Sequence, residues 1–409
     1  MTTLSVPSEP VRRKLLGVLF ASSAITRTGL IAALTAAVLA AEDMLGSASL
    51  SGLPAAMTTI GIAAGTPAVA WLMARSGRRA GLTVGLGVGG AGALLAGIAV
   101  NVGSFPLFVV GMFVFGAGLA AERLSRYAAA DITPVARQAF AISLVVWAGT
   151  IGSVVGPVLL APARRIADAA GLEGLAGPLL LAAALAGAAS LVNARFLRPD
   201  PLSFSTADEA GGPAPSTRSH LNAPKVRVAV AALVVGQVVM VLIMTMTPVH
   251  VRRAGEDLGI VGLVIAAHTL GMFAFSPLTG YLSDRLGRVP VILAGQVMLA
   301  VSAVMASFAA GDDRILLVAS LFLLGLGWNL GFVAASALLT EDADPGSRVS
   351  LQGLADSVVW TSAALAALSS GALLETGSYA SLSLIGASMV AIPVVVFTRY
   401  RSSLAGAPA

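Results

Sequence analysis

The chain has 409 residues, of which 57% are hydrophobic and 11% charged, less than half the charged share of about 25% that a soluble domain carries. It has no cysteine, which excludes disulfides and thiolate metal sites, and no cofactor or metal is expected. The net charge of +5 would suit nucleic acid, but the basic residues stand where they orient a membrane protein, so no nucleic-acid partner is expected.

At the amino end, Val11–Lys14 precedes an apolar run that continues to Ala41. That run is too long for a signal-peptide core and long enough for a first spanning helix. Together the apolar runs predict twelve helices, near 15–41, 48–73, 80–100, 105–130, 138–161, 175–197, 228–248, 259–282, 289–308, 315–339, 349–373 and 381–398, each able to cross a hydrocarbon core of roughly 30 Å. An amide facing lipid is satisfied only within its own helix or in a closed barrel. The runs are continuous, not alternating, so the predicted fold class is an all-α membrane protein.

Most of the 25 basic residues fall on the side of the amino terminus: Arg12, Arg13, Lys14, Arg75, Arg78, Arg79, Arg123, Arg126, Arg137, Arg285, Arg288, Arg348, Arg399 and Arg401 among them. Arg164, Arg165, Arg252, Arg253 and Arg314 fall on the other side, and Arg27 lies within a helix. The bias predicts a multi-pass protein of the cytoplasmic (inner) membrane with both termini in the cytoplasm. The segment 198–226, rich in Pro, Gly, Ser and Thr, reads as a flexible cytoplasmic linker. It divides a six-helix bundle at 1–197 from another at 227–409.

The halves repeat one another. Asp131-Ile-Thr-Pro134-Val-Ala-Arg137 has a counterpart in Asp342-Ala-Asp-Pro345-Gly-Ser-Arg348, Gly116-Ala-Gly118 in Gly325-Leu-Gly327, Val145-Val-Trp147 in Val358-Val-Trp360, and Gly77-Arg78 in Gly287-Arg288. Parallel repeats of this kind are a transporter signature.

Gly280-Tyr-Leu-Ser-Asp284-Arg285-Leu-Gly287-Arg288 resembles the loop signature of the major facilitator superfamily. The first-half copy, Ala70-Trp-Leu-Met-Ala74-Arg75-Ser-Gly77-Arg78, keeps the glycine and the basic residues but has Ala74 in place of the aspartate. Gly152-Ser-Val-Val-Gly156-Pro157 is similar to part of the superfamily's exporter signature, without its trailing glycines. Tyr127–Asp131, His268–Phe273 and Gly327–Asn329 resemble a bacterial branch with some riboflavin-linked members. The resemblance implies two pseudo-symmetric six-helix bundles and alternating access. It also implies gating roles for Asp284, Arg285, Gly287, Arg288, Arg137, Gly156 and Pro157, with the loop of Asp284 against the start of helix 5 near Arg137–Phe140.

Ionisable groups within a span cost about 2.5–3.5 kcal/mol each on insertion scales, so each needs a reason. Arg27 lies roughly 18 Å along helix 1, where it suits an anionic solute group, with a fixed ion pair as the bland alternative. Glu122 and Arg126, four apart, are expected to pair on one face of helix 4. His268 titrates near neutrality when unperturbed and is a candidate proton carrier, against the alternative of a bonded packing residue. Asp356 is the one carboxylate well inside a second-half span and is the other proton candidate. Gln237, Gln352 and Asn329 add neutral polar groups, with Asn329 expected near a cavity shared by Arg27, His268 and Asp356, and Trp147, Trp328 and Trp360 add flat faces for an aromatic solute or interfacial anchors.

The expected function is transport of a small organic solute by a monomer in the lipid bilayer, as proton-coupled efflux or as uptake of a riboflavin-like or other aromatic or anionic metabolite. A membrane sensor or assembly partner would need a sizeable extramembrane module. An enzyme would need a catalytic constellation that three scattered histidines do not supply.

Overall fold

The computed structural model describes residues 6–46, 50, 52–204, 222–256, 258–339, 341, 343 and 345–405. Most of the expected linker, His220 within it, and Asp342 lie outside the described residues. Among the described residues, eleven helices are long and apolar enough to cross a membrane. One of them, Leu53–Asn101, is broken at Gly77, whose dihedrals are φ 90° and ψ 164°, so twelve spans result.

In chain order these are α1 (Glu9–Leu45), α2 (53–76), α3 (78–101), α4 (Phe105–Asp131), α5 (Gln138–Ala169) and α6 (Ala176–Phe196). The second half has α7 (Pro224–Arg253), α8 (Leu258–Phe273 continuing as Ser276–Leu286), α9 (Arg288–Phe308), α10 (Arg314–Leu339), α11 (Pro345–Thr376) and α12 (Tyr379–Met389 continuing as Ala391–Ala405). α1 starts earlier than expected from the apolar run, and α5 runs on to Ala169 instead of ending near 161. Polar and basic helix ends do not register in a hydropathy count, although they continue the same hydrogen-bonded ladder.

Gly77 reverses the chain. A Cβ at position 85 would lie 3.5 Å from Val69 Cγ2, and one at 81 would lie 2.2 Å from Met73 Cγ, so α2 and α3 run back along one another symmetrically about residue 77. Gly287 does the same between α8 and α9, at φ 93° and ψ 154°. That backbone region is essentially closed to residues with a side chain.

α8 has a second interruption between Phe273 and Ser276, next to Pro277, which lacks an amide hydrogen. Asn329 of α10 closes it. Its amide donates to Met272 O at 2.7 Å and to Ser276 Oγ at 2.6 Å, and its Oδ1 accepts from Thr279 at 2.6 Å.

Two compact units form by contact. One comprises 1–134, 148–213 and 352–360; the other comprises 135–147, 214–351 and 361–409. The exchanged pieces come from α5 and α11, the equivalent helices of the two repeats. Large apolar side chains such as Val154, Val158, Ile166, Leu191, Leu365 and Leu368 are exposed, as befits helices whose outer surface faces lipid.

Candidate functional site

In the unit that contains α4, one turn of that helix carries Glu122, Arg123, Arg126 and Tyr127, and 352–360 of α11 lies against it. Arg27 of α1, 7% exposed, donates from Nε to Glu122 Oε1 at 2.7 Å. Arg126 donates from Nη2 to Asp356 Oδ1 at 2.6 Å and to the Tyr127 hydroxyl at 2.9 Å. Tyr127 in turn donates to Asp356 Oδ1 at 3.1 Å. Glu122 and Arg126 therefore do not spend themselves as the intrahelical pair that their spacing suggested. Each takes a partner on another helix in a short charge-assisted hydrogen bond, the strong kind.

Arg123 stands between the two pairs. Its nearest carboxylate oxygen, Glu122 Oε2, is 3.8 Å from Nε, beyond hydrogen-bond distance. The guanidinium lies over the Trp360 ring, 4.7 Å from its centroid. Asp356 Oδ2 is buried without a hydrogen-bond partner among the described residues. Gly152 and Gly156 let α5 approach this end of α1: a Cβ on Gly152 would press on Arg27 at 2.7 Å, and one on Gly156 would press on Ile31 at 2.9 Å. Pro157 follows within the same helix.

The same unit holds a second buried arginine. Arg78, fully buried, donates to Asp131 Oδ2 at 2.8 Å and to Gln352 Oε1 at 2.5 Å. The carboxylate of Asp200, just past α6, accepts from the amides of Arg78 at 3.0 Å and Arg79 at 2.9 Å. It thereby caps α3 where the Gly77 break leaves donors unbonded.

In the other unit, Asp284 at the end of α8 accepts from Ala139 N at 3.1 Å and from Phe140 N at 2.9 Å. These are first-turn amides of α5, the position expected from the resemblance. Gly280 makes this possible: a Cβ there would meet Phe140 Cα at 2.7 Å. Arg288 donates to Val135 O at 2.7 Å and also bonds Glu341. Arg285 turns to the Tyr281 hydroxyl at 2.8 Å, and Arg137 is exposed beside Asp284 in a shallow cavity that also takes in Arg285 and Phe140.

His268 is buried, and its Nδ1 lies 3.0 Å from Leu321 O. A carbonyl only accepts, so Nδ1 carries the hydrogen; Nε2 has no partner among the described residues. Trp328 donates to Gln237 Oε1 at 2.9 Å and stacks on Phe332 with centroids 4.4 Å apart. Trp147 is 39% exposed, whereas Trp360 is 8% exposed. The structure thus gathers Arg27, Glu122, Arg126, Asp356 and Trp360 in one unit. Asn329 and His268 sit at the α8–α10 packing surface of the other. The turn motif of Asp131 reads as a structural brace, but its partner Arg78 and the roles of Gln352 and Asp200 do not follow from it, although the match of Gly77-Arg78 to Gly287-Arg288 is a usable signal.

Two repeats of six apolar helices, with ion pairs buried inside the spans, define a multi-pass membrane transporter. The chain belongs to the major facilitator superfamily, whose family model matches residues 16–260 and 253–407. It is 40% identical over 382 residues to the uncharacterized MFS-type transporter YdeG of Bacillus subtilis (strain 168), covering 91% of this chain and 89% of that one. It is 29% identical over 358 residues to the riboflavin transporter RfnT of Brucella anthropi, covering 87% and 88%. Among solved structures it is similar to the MFS transporter FucP in its outward conformation, with a TM-score of 0.75 at 17% identity, covering 96% of this chain and 99% of that one.

Proposed function

We propose that this transporter exports a small organic solute in exchange for protons, by alternating access of the bundles 1–197 and 227–409 joined by the linker 198–226. It works as a monomer in the cytoplasmic membrane with both termini inside. The observation that carries the reading is the pair of ion bridges Arg27–Glu122 and Arg126–Asp356, which tie α1, α4 and α11 together inside the spans. A buried ion pair is a weak source of stability, because desolvation offsets the attraction. Two of them on one turn of α4 therefore suit a site where partners are exchanged during a cycle.

Asp356 is the proton carrier in this scheme. Its Oδ1 is held by Arg126 and Tyr127, and its Oδ2 is the open position at which a proton is taken. The export direction rests on the Gly152–Pro157 stretch that packs α5 on α1. Asp284, with Arg288, Arg137 and Arg285 around it, holds the cytoplasmic gate shut by capping α5, and Gly287 fixes the turn that presents it.

The test uses proteoliposomes containing Asp356→Asn. Flux driven by a pH gradient should fall at least tenfold while solute exchange at equal pH survives. Undiminished proton-driven flux in Asp356→Asn and also in His268→Gln would leave no titratable carrier in the spans, and a facilitator would replace this reading. A second reading, uptake of a riboflavin-like aromatic metabolite, is favoured by the Gln237–Trp328–Phe332 group together with the likeness to RfnT. Accumulation of riboflavin inside cells expressing the protein, lost in Trp328→Ala, would decide for it.

A further inference from the structure

We infer that the solute is an organic monoanion with a flat ring, and that Arg123 and Trp360 bind it. This rests on the reading of the α1–α4–α11 site as the solute site. The charges of that site do not balance. Three guanidiniums, those of Arg27, Arg123 and Arg126, face two carboxylates, Glu122 and Asp356. Glu122 is committed to Arg27 at 2.7 Å, and Asp356 to Arg126 at 2.6 Å with a second bond from Tyr127. The surplus positive charge falls on Arg123. Its Nε is buried with no hydrogen-bond partner among the described residues, and the closest carboxylate oxygen stays 3.8 Å away.

A guanidinium has five donors in a planar fork that matches a carboxylate. Arg123 is also the most accessible of the three, with its side chain 16% exposed against 9% for Arg27 and 4% for Arg126. An incoming anion therefore reaches it without first breaking a hydrogen-bonded ion pair. The Trp360 ring beneath the guanidinium, itself nearly buried, holds the fork in a fixed plane and offers an apolar face beside it. A carboxylate on a short arm from an aromatic ring engages both. One added negative charge neutralises the site. A neutral solute leaves the surplus in place, and a cation adds to it, so the site discriminates by charge before it discriminates by shape.

The experiment uses the purified full-length protein and three near-isosteric probes, indole-3-acetate, indole-3-acetamide and tryptamine. Thermal melting is followed in the parent, Arg123→Gln, Arg123→Lys and Trp360→Leu, and counterflow of labelled indole-3-acetate is measured in proteoliposomes. Only the anion should raise the melting temperature. The shift should vanish in Arg123→Gln, persist in weakened form in Arg123→Lys, and shrink in Trp360→Leu. Without ligand, Arg123→Gln should melt at or above the parent, because it removes the charge left over once Glu122 and Asp356 are hydrogen-bonded to Arg27 and Arg126. An equal shift from the amide, a shift that survives Arg123→Gln, or no shift from any probe overturns the inference. So does a ligand-free Arg123→Gln that melts well below the parent, since that marks a structural arginine. Anion-dependent stabilisation without counterflow would instead sink the transport role of the site and leave the binding inference standing. Counterflow that accepts the amide equally and ignores Arg123→Gln would do the reverse.

Discussion

At Gly77 and at Gly287 the chain turns with nearly the same dihedrals, φ 90° and ψ 164° against φ 93° and ψ 154°, yet the arginine after each turn is closed in differently. Arg78 is sealed: its side chain and that of its partner Asp131 are both 0% exposed. Arg288 has a matching partner, Glu341, whose side chain is 26% exposed and shared with Lys225. The capping carboxylate differs too. In the first repeat Asp200 reaches back from beyond α6 to the amides that open α3. In the second, Asp284 reaches from the end of α8 to the amides that open α5. One repeat uses its carboxylate to brace its own turn, and the other uses it to hold a neighbouring helix. Duplication preserved the backbone device and let the charges around it take separate tasks.

The sharpest way to break this comparison is to remove the two arginines. Arg78→Ala leaves Asp131 buried and uncompensated, a loss of about 3–5 kcal/mol, so folded yield and melting temperature should fall steeply. Arg288→Ala leaves Glu341 partly exposed and still bonded to Lys225, and should cost about 1.5–3 kcal/mol, the range for a hydrogen bond to a charged group. Equal losses would mean that burial of the first pair does not matter.

The turns themselves come next. Alanine at 77 or 287 must adopt a backbone that costs about 1–3 kcal/mol outside glycine. At 287 the new methyl group meets only Pro290 Cδ, at 3.6 Å, whereas at 77 it strikes the carboxylate of Asp200. Gly77→Ala should therefore melt lower than Gly287→Ala. The double variant Gly77→Ala with Asp200→Ala tests the cause: if the collision is the added cost, removing the carboxylate should not lower the melting temperature much further.

The caps give smaller energies but separate function from stability. Asp284→Asn should express normally yet transport less, with more labelling of cavity positions from the cytoplasmic side. Loss of about 1–2 kcal/mol from a closed gate shifts its population roughly five- to thirty-fold. Asp200→Asn should lower the melting temperature and leave the labelling pattern unchanged, because it braces a turn within its own compact unit. If Asp284→Asn leaves inside labelling at the parent level while transport falls, Asp284 does not act on a gate.

These contrasts also mark what could be read from the chain alone. The twelve spans and the repeat were legible because both are written locally, in runs of apolar residues and in short motifs recurring in order. The place of Asp284 against α5 was legible because the signature around it is dense. Partner choice was not. Arg27 finds Glu122 across 95 residues and Arg126 finds Asp356 across 230, and no local pattern encodes such pairings. Asn329 read as a cavity residue because a buried amide in an apolar run stands out. Its bonds to Met272 and Ser276 answer a helix break that only the fold reveals.

The smallest expected effect belongs to Ala74, the position where the first repeat lacks the aspartate. An aspartate at 74 does not build a second brace, for a reason in the local geometry. Gly280 touches Phe140, and Asp284, one turn later, meets the amides of Ala139 and Phe140. In the first repeat Ala70 touches Gly353, so a carboxylate at 74 would reach toward the amides near Gln352 and Gly353. Those amides are not orphans. α5 opens at Gln138, so its residues 139 and 140 are first-turn donors, whereas α11 opens at Pro345 and has passed its first turn before residue 352. Its amides there are already bonded within the helix. The Gln352 side-chain oxygen is held by Arg78 as well. Position 74 is exposed, so Ala74→Asp should behave as an ordinary surface change, within about 0.5 kcal/mol of the parent, with melting temperature and transport rate both unchanged. A clear rise in stability together with slower transport would show that α11 does have a donor to offer there. The two repeats would then differ by one side chain, and the asymmetry would not extend to where their helices begin.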